Sequence, residues 1–201
     1  MRSITLSSGR LANAAFSLLA LGMQSAPAFS MAFQVQGDEL VMSGPVTGSE
    51  CSELRAFLEK GGIKTIVLGY SSGGNANAGY CVGALIRQKG LSTVFRGTCV
   101  SSCSRMWLGG ASRTLDGPYS KVGLHGNYDR NGLLLPDGPK RLRSSIPSYA
   151  PVDRQLMEQW INLARNTQMM YFCNAKAELC YRESCTPIPG RNAVNAWLAT
   201  R

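Results

Sequence analysis

The sequence predicts an α/β protein, because segments typical of strands and segments typical of helices alternate along its central part. Ile63–Tyr70 is a run of β-branched and apolar residues, as in a buried parallel strand. Apolar residues spaced three and four apart follow in Ala76–Gly90 and indicate an amphipathic helix. Right-handed crossovers bring strand ends and helix starts to one rim of such a sheet, so we expect any site at that rim.

The other elements of the α/β pattern follow in chain order. Asp38–Val46 indicates a first strand, and Ser49–Gly62 a helix that Ser49 caps and two glycines end. Leu91–Phe95 is a further strand. The stretch "CVSSCSRMWLGG" begins as a turn and continues as a short helix, and "KVGLHGN" carries a strand into His125.

The C-terminal part has a different composition. Residues 126–150 are rich in Gly, Pro and Ser and are basic, which predicts a surface loop. Val152–Phe172 has the apolar spacing of a long helix, and a tail with three cysteines and a short last helix follows it. We expect one domain over residues 33–201, whose C-terminal tail covers about 150–201.

The N-terminus has the three-part pattern of a secretory signal peptide. Two arginines and no acid precede an apolar run of 13 residues, and Ala26 and Ala28 then occupy the small positions of a cleavage site. The run is short for a transmembrane span. We therefore expect a signal peptide over residues 1–28, cleavage after Ala28, a periplasmic or secreted protein, and no transmembrane helix in the mature chain.

Composition and charge exclude several function classes. A chain of 201 residues with 44% hydrophobic and 16% charged residues is typical of a globular protein. The net charge of +9 is scattered, and Lys140–Arg143 is the one tight basic cluster, which favours a solvated loop over a nucleic-acid site. The sequence lacks the glycine-rich motifs that bind nucleotides. We expect neither a nucleic-acid partner nor a cofactor.

All seven cysteines lie after the predicted signal peptide. In an exported protein they are expected to form disulfides, and their odd number leaves at least one free or paired with another chain. They are Cys51, Cys81, Cys99, Cys103, Cys173, Cys180 and Cys185. Cys99 can pair with Cys103 if their α-carbons lie within about 7 Å, and Cys51 or Cys81 are equally open partners. A zinc site of Cys99, Cys103 and His125 has unfavourable spacing, so no metal is expected.

Two turns at the predicted rim carry the candidate chemistry. Ser71–Asn75 and Cys99–Cys103 each connect a strand end to a helix start, where backbone N–H groups point outward and can bind an oxyanion. The only histidine, His125, ends a strand in the same zone. A serine hydroxyl becomes a nucleophile when a base removes its proton, so a serine and a histidine placed this way fit acyl transfer.

These residues resemble the Clp-type peptidase and crotonase superfamily. The resemblance covers about Asp38 to Asn127 and rests on "SSGG" at residues 71–74, on "CVSSC" at 99–103, and on the 24 residues between Ser101 and His125. It is nearest to the exported, periplasmic bacterial members, which carry a C-x-S-x-C serine motif. It implies a ClpP/crotonase-like spiral of ββα units with a mostly parallel sheet.

The same resemblance implies roles for four residues. Ser101 matches the nucleophile and His125 the general base, while the backbone N–H groups of Gly74 and Ser102 match the oxyanion donors. The implied function is that of an exported serine peptidase acting on a peptide or protein substrate. The assembly state stays open, a homo-oligomer included.

The sequence departs from the family pattern at the third member of the triad. Asn174, Asp129 and Asp153 are the candidates, and a Ser/Lys dyad through Lys121 is a further alternative. Two other functions stay open. One is a catalytically inactive binding or scaffold protein of the cell envelope. The other places the reactive group at the thiol of Cys103, which requires that this cysteine is not in a disulfide.

Overall fold

The structure is a computed structural model that describes residues 30–146 and 152–200. The predicted signal peptide and its cleavage after Ala28 lie outside the described residues. Ten strands and five helices occur in the described ranges. The strands are β1 (Ala32–Gln36), β2 (Glu39–Ser43), β3 (Thr65–Leu68), β4 (Ser92–Phe95), β5 (Thr98–Val100), β6 (Arg113–Leu115), β7 (Lys121–Leu124), β8 (Gln168–Phe172), β9 (Ala177–Tyr181) and β10 (Ser184–Ile188). The helices are α1 (Glu50–Glu59), α2 (Ala76–Gln88), α3 (Ser102–Leu108), α4 (Gly138–Ser145) and α5 (Arg154–Ile161).

The first sheet is mostly parallel, as the sequence predicts. Its strand order is β1-β2-β3-β4-β6, with parallel pairing throughout except between β1 and β2. Val41, Val67 and Val94 lie side by side on β2, β3 and β4. The apolar run of β3 is buried at Ile66, Val67 and Leu68 because helices cover the sheet. The α/β class is therefore confirmed.

The second sheet carries the C-terminal part of the chain. Its order is β10-β9-β8-β7-β5, and only β5 and β7 pair in parallel. β8, β9 and β10 are joined as antiparallel hairpins and extend the sheet from β7. Because β5 and β7 are direct neighbours, the turn after β5, which contains Ser101, lies at the same end of the sheet as His125, which follows β7.

The prediction of one long helix over Val152–Phe172 is wrong. The helix α5 ends at Ile161, and residues 168–172 form the strand β8. The helical spacing holds only up to Ile161, whereas Met170 and Phe172 are buried with the two-residue period of a strand. Asn162 and Asn166 lie between the two elements, where side-chain amides compete with helical hydrogen bonds.

Three smaller predictions are also wrong. The loop predicted over residues 126–150 contains the helix α4, which begins beside Pro139, a residue suited to a first helical turn. The short last helix is a series of turns at residues 193–197. Ser49 precedes α1 but makes no side-chain cap; the carboxylate of Glu50 instead accepts from the amides of Thr47 and Gly48, at 2.6 and 2.8 Å.

The core contains large apolar side chains from both sheets and the helices between them. Phe95 on β4 stacks on Trp107 of α3 with ring centroids 4.9 Å apart, and both are fully buried. Helices α2 and α3 approach closely because Gly83 and Gly109 meet, and a Cβ at Gly109 would collide with the backbone of Gly83. This packing fixes α3, and with it the serine at its start.

Six of the seven cysteines form three disulfides. The pairs are Cys51–Cys81, Cys99–Cys103 and Cys180–Cys185, and Cys173 is free. The first links α1 to α2 and closes 30 residues, which contributes about 3 to 4 kcal/mol in the chain-entropy view. Three disulfides fit an extracellular or periplasmic protein. In residues 30–146 and 152–200 no helix combines the length and apolar character that a membrane crossing requires.

Candidate active site

Ser101 occupies a sharp turn between β5 and α3. Its φ of 59° and ψ of −123° lie in a region that residues with a side chain rarely adopt. The turn is held on both sides: the Ser101 amide donates to Gly123 O on β7 at 3.0 Å, and Ser104 Oγ donates to Ser101 O at 2.5 Å. The Cys99–Cys103 disulfide closes the same turn. The surrounding structure therefore imposes this conformation and turns the Ser101 side chain into an open cavity.

Ser102 faces the opposite way from Ser101. It is fully buried, and its Oγ has no hydrogen-bond partner within the described ranges. A Cβ at Gly79 of α2 would lie 2.9 Å from the Ser102 Cβ, so the two helices meet at this point. Only Ser101 of the two adjacent serines lines the cavity. The structure thus separates the two hydroxyls that the sequence places side by side.

The glycine turn at residues 73–74 packs directly against Ser101. Gly73 has a φ of 79°, and a Cβ there would lie 2.6 Å from both Ser101 Cβ and Val100 O. Val46 on the other side accepts from the Asn75 amide and donates to Gly73 O, both at 2.8 Å. Glycine is required here because any side chain would push the turn away from the serine.

Two backbone amides at this site are free to bind an anion. The Gly74 amide takes no part in the hydrogen bonds that its neighbours make with Val46. Ser102 is the first residue of α3, where the amide has no partner inside the helix. Neither amide has an acceptor within the described part of the chain. Both lie next to Ser101, one on each of the two turns.

His125 directly follows β7 and lines the same cavity as Ser101, Ser72 and Gly74. Its Nδ1 lies 2.7 Å from the carbonyl oxygen of Gly126. Because a carbonyl can only accept, Nδ1 carries the proton and Nε2 is left as the basic nitrogen. Burial, followed by the nearby Arg105 charge, lowers the pKa of His125 from 6.5 to about 4. The ring is therefore neutral at pH 7.

The cavity has a volume of about 640 Å³ and a mostly polar lining. Ser101 and His125 both face it, but the described structure has no hydrogen bond between the two side chains. Nucleophile and base often come into contact only when substrate binds. In this conformation Ser101 and His125 therefore line the same cavity without forming a hydrogen bond to each other.

A buried guanidinium stabilises the backbone beside His125. Arg105 of α3 is only 3% exposed and donates to Asn127 Oδ1 at 2.7 Å and to Gly126 O at 3.4 Å. Asn127 in turn donates to Tyr80 Oη at 3.0 Å. Sequence reasoning missed Arg105; the one available signal was a lone charge inside an otherwise small and apolar helix.

Tyr128 completes the support of this segment. Its hydroxyl accepts from the Gly126 amide at 3.2 Å and donates to Leu163 O at 3.0 Å. The ring lies 4.8 Å from the imidazole of His125. The peptide between His125 and Asn127 is therefore held from both sides, so the acceptor of Nδ1–H is fixed in place.

The three side chains proposed as third triad member are engaged elsewhere, and none of them lines the cavity. Asn174 donates to Leu115 O at 3.0 Å. Asp129 closes a turn by accepting from the Asn131 amide at 2.8 Å. Asp153 caps α5 and forms an ion pair with Arg191 at 3.2 Å. The carbonyl of Gly126 occupies the position that these side chains would need to reach.

The structure also places the alternative reactive groups. Lys121 Nζ lies 4.7 Å from the Tyr171 ring and lines a second cavity of about 430 Å³, away from Ser101. The disulfide between Cys99 and Cys103 leaves no thiol for the cysteine-based hypothesis and no thiolate for the zinc alternative. Nor do His, Cys, Asp and Glu side chains gather into a metal-binding group anywhere in the described ranges.

Comparisons with known proteins give matches in structure and none in sequence. No family model matches the chain, and no curated protein matches it. ClpP1 from Listeria monocytogenes superposes with a TM-score of 0.51 at 14% identity, covering 82% of this chain and 89% of that one. A mutant of a membrane-bound stomatin-specific protease has a TM-score of 0.50 at 14% identity and covers 79% of this chain and 75% of its own. A Pseudomonas aeruginosa protein has a TM-score of 0.50 at 10% identity, covering 87% and 77%.

These neighbours establish the fold. The chain has the Clp-type α/β fold that the resemblance in sequence implies. The fold is one on which peptidases are built. At this level of identity, function has to be argued from the residues of the site themselves.

Proposed function

We propose that the protein is an exported serine peptidase in which Ser101 is the nucleophile and His125 the general base. One observation carries the proposal: Ser101 sits at a positive φ in a turn between strand and helix and shares a cavity with the only histidine. Two unpartnered amides, those of Gly74 and Ser102, lie beside it. This combination has no evident structural purpose, whereas acyl transfer requires each part of it.

The first half of the reaction forms an acyl-enzyme. Ser101 Oγ attacks the substrate carbonyl carbon while its proton moves to His125 Nε2, and the carbonyl oxygen becomes an oxyanion. The amides of Gly74 and Ser102 donate to that oxygen. The carbon–nitrogen bond then breaks, and the proton on Nε2 passes to the departing amine, which leaves Ser101 esterified.

The second half returns the enzyme to its starting state. Water gives one proton to Nε2 as its oxygen attacks the ester carbonyl, and the same two amides bind the new oxyanion. The ester bond breaks, the proton on Nε2 returns to Ser101 Oγ, and the acid product leaves. Throughout both halves, the proton on Nδ1 remains there and is donated in a hydrogen bond to the Gly126 carbonyl oxygen. This carbonyl therefore orients the ring as a carboxylate does in a triad.

The proposed Ser101–His125 pair differs from a triad because a neutral carbonyl, not a charged carboxylate, accepts the hydrogen bond from Nδ1. A neutral acceptor stabilises the imidazolium less than a charged one does, and the Arg105 guanidinium opposes the positive ring. The base is therefore weak but almost wholly neutral at pH 7. We expect slow turnover and stable acylation rather than rapid hydrolysis.

Labelling with a fluorophosphonate tests the nucleophile. The oxidised protein should be labelled, and fragmentation of the labelled peptide by mass spectrometry should place the adduct on Ser101. Ser101→Ala should abolish labelling, while Ser52→Ala, at an exposed serine of α1, should leave it unchanged. Labelling that survives Ser101→Ala would overturn the assignment.

Export is part of the proposal and has two supports. The N-terminal pattern resembles a signal peptide, and three disulfides require an oxidising compartment to form and persist. We take residues 33–201 as one domain in the periplasm or outside the cell. Sequencing the N-terminus of the protein recovered from the periplasm should give a chain that starts after Ala28.

A binding or scaffold protein on the same fold is the second candidate. The feature that favours it is the neutral acceptor on Nδ1, because a retained active site would be expected to keep a carboxylate there. Folded, oxidised protein that resists the fluorophosphonate but binds a peptide saturably would support this candidate over the enzyme.

A further inference from the structure

Arg141 places a positive charge at the cavity that contains Ser101 and His125. It lies on α4, in the basic cluster that the sequence analysis assigned to a solvated loop, and it is exposed yet lines the cavity. The helix therefore turns one residue of this cluster toward the site. The mechanism proposed above does not use this residue.

Neutral groups hold the Arg141 guanidinium in place. Its Nη2 donates to Asn77 Oδ1 at 2.5 Å, and its Cζ lies 4.8 Å from the centroid of the Tyr80 ring. Both partners belong to α2, which starts directly after the glycine turn. The side chain is thus positioned before any ligand arrives, and a positioned guanidinium loses less entropy on binding.

The charge of Arg141 is not neutralised by the protein. In the described ranges it forms no ion pair, whereas Arg143 on the same helix pairs with Glu158 at 2.7 Å. Asp137 is the one carboxylate among the described cavity residues, and it lies beyond ion-pair distance from Arg141. Only one of the five guanidinium N–H groups has an acceptor in the described structure, so a fork of donors is left for a ligand.

We propose that Arg141 binds a carboxylate of the substrate, so that the cavity selects peptides with an acidic group near the bond that is cleaved. The inference rests on the proposed function for the identity of the substrate, but the binding step itself needs no catalysis. A planar carboxylate matches the guanidinium fork with two parallel hydrogen bonds. The carboxylate comes either from an Asp or Glu side chain or from the C-terminus of the peptide.

Peptide binding to the Ser101→Ala variant tests the inference without turnover. The probes are Ala-based hexapeptide pools, acetylated at the N-terminus, that carry either Glu or Gln at one position in turn. Each pool is prepared with a free and with an amidated C-terminus, which separates the two sources of the carboxylate. We expect Kd for the better carboxylate pool to be about tenfold lower than for its neutral match, with the difference shrinking in high salt.

Three variants at two neighbouring arginines give a matched comparison. Arg141→Gln in the Ser101→Ala background should abolish the preference for carboxylate, and Arg141→Lys should keep only part of it, because lysine lacks the fork. Arg143→Gln removes an equal charge from the same helix and should keep the preference. Thermal unfolding of each variant checks that it is folded.

The outcomes separate the inference from the proposed function. Equal Kd values for the Glu and Gln pools and for both C-termini, or a preference that survives Arg141→Gln, would overturn the inference even if fluorophosphonate labels Ser101. A preference that depends on Arg141 in a protein that is never labelled would support the carboxylate site and count against the peptidase.

Discussion

The Nδ1 of His125 donates to the carbonyl oxygen of the next residue, Gly126, at 2.7 Å. This contact fixes the tautomer of the only histidine and leaves Nε2 as the base in a cavity shared with Ser101. In the proposed mechanism, this backbone carbonyl orients the ring as a carboxylate does in a triad.

The pKa of His125 should be measurable as a single transition. Burial, followed by the Arg105 charge, lowers this pKa from 6.5 to about 4. His125 is the only histidine in the sequence, so NMR of a histidine-labelled sample during a pH titration reports this group alone. A transition near 6.5 in the folded protein would show that the ring is exposed and would contradict the arrangement.

Activity should follow the neutral form of the ring. Since Nε2 accepts a proton only when it is unprotonated, we expect kcat/KM to rise with pH through about 4 and to be level from about pH 5.5 to neutrality. The measurement is the rate of acylation by a fluorophosphonate or a chromogenic ester across this range. A midpoint near 6.5 would instead indicate a base with its ordinary pKa.

The same pKa shift makes stability depend on pH. Between the folded pKa of about 4 and the unfolded value of 6.5, only the unfolded chain binds a proton at His125. Stability is therefore complete above 6.5 and is lost as pH falls, by about 2 kcal/mol between pH 7 and pH 5. Urea unfolding at these two pH values measures the loss, which His125→Gln should abolish while leaving other contributions in place.

Arg105 is expected to act as a positioning residue through the Gly126–Asn127 segment. Arg105→Gln removes the nearby charge and two donors, and it leaves Asn127 Oδ1 without its 2.7 Å partner. We expect the pKa of His125 to rise, labelling of Ser101 to slow by about tenfold, and stability to fall by about 2 kcal/mol.

The pH profile distinguishes positioning by Arg105 from simple destabilisation. A structural defect alone would lower the amount of active protein without moving the midpoint of the profile. Arg87→Gln, which removes an exposed charge from α2, is the control and should change neither the midpoint nor the labelling rate. A midpoint unchanged in Arg105→Gln would contradict the assigned role.

Gly73→Ala should abolish labelling of Ser101. The new Cβ would lie 2.6 Å from Ser101 Cβ and from Val100 O, at a φ of 79°. The turn and the serine cannot both keep their positions, so we expect at least a hundredfold loss of labelling and a stability loss of about 3 kcal/mol. Fluorophosphonate labelling and urea unfolding measure the two effects.

Gly61→Ala is a closely matched control for Gly73→Ala. Its φ of 76° is nearly the same, but a Cβ there meets nothing within 4 Å. It should lose about 1 kcal/mol from backbone strain and keep its labelling rate. Equal labelling rates in the two variants would show that the glycine turn does not position the nucleophile.

Removing the Cys99–Cys103 disulfide should lower the labelling rate of Ser101 more than it affects the fold. Its loop encloses Ser101 and Ser102, and both half-cystines are fully buried. The double variant Cys99→Ala/Cys103→Ala should slow labelling by about tenfold, because the turn can then relax toward ordinary backbone angles. The double variant Cys180→Ala/Cys185→Ala opens a loop of similar length in the β9–β10 hairpin and should leave labelling unchanged. The opposite ranking of the two variants would contradict the role assigned to the first disulfide.

Local patterns were enough to predict the three central strands of the first sheet, β2, β3 and β4, and the helices α1 and α2, whereas the edge strands β1 and β6 were not predicted. Runs such as Ile63–Tyr70 are apolar on both faces, and the helix of α2 has a clear apolar stripe, so each element is recognisable from a few neighbouring residues. The same approach failed over Val152–Phe172, where a helical and a strand period follow each other within one apolar stretch. There the pairing of β8 with β7 decided the conformation.

The sequence by itself determined which serine, histidine and glycine turn belong together. Ser101 follows β5 and His125 follows β7, and these two strands pair in parallel, so both residues lie at the same end of the second sheet. The match of their motifs and of the 24-residue spacing to the Clp-type peptidase and crotonase superfamily implied this grouping without coordinates.

Only the tertiary structure decided how the site is supported. The carbonyl that contacts His125 lies in the segment after β7, the buried Arg105 lies on α3, and Arg141, which lines the cavity, lies on α4. Tertiary packing brings these three segments together. Side-chain direction and disulfide partners depend on contacts between residues far apart in sequence. Neither hydrophobic period nor motif spacing encodes those contacts, so the contact of His125 Nδ1 with the Gly126 carbonyl could not be foreseen from the residues alone.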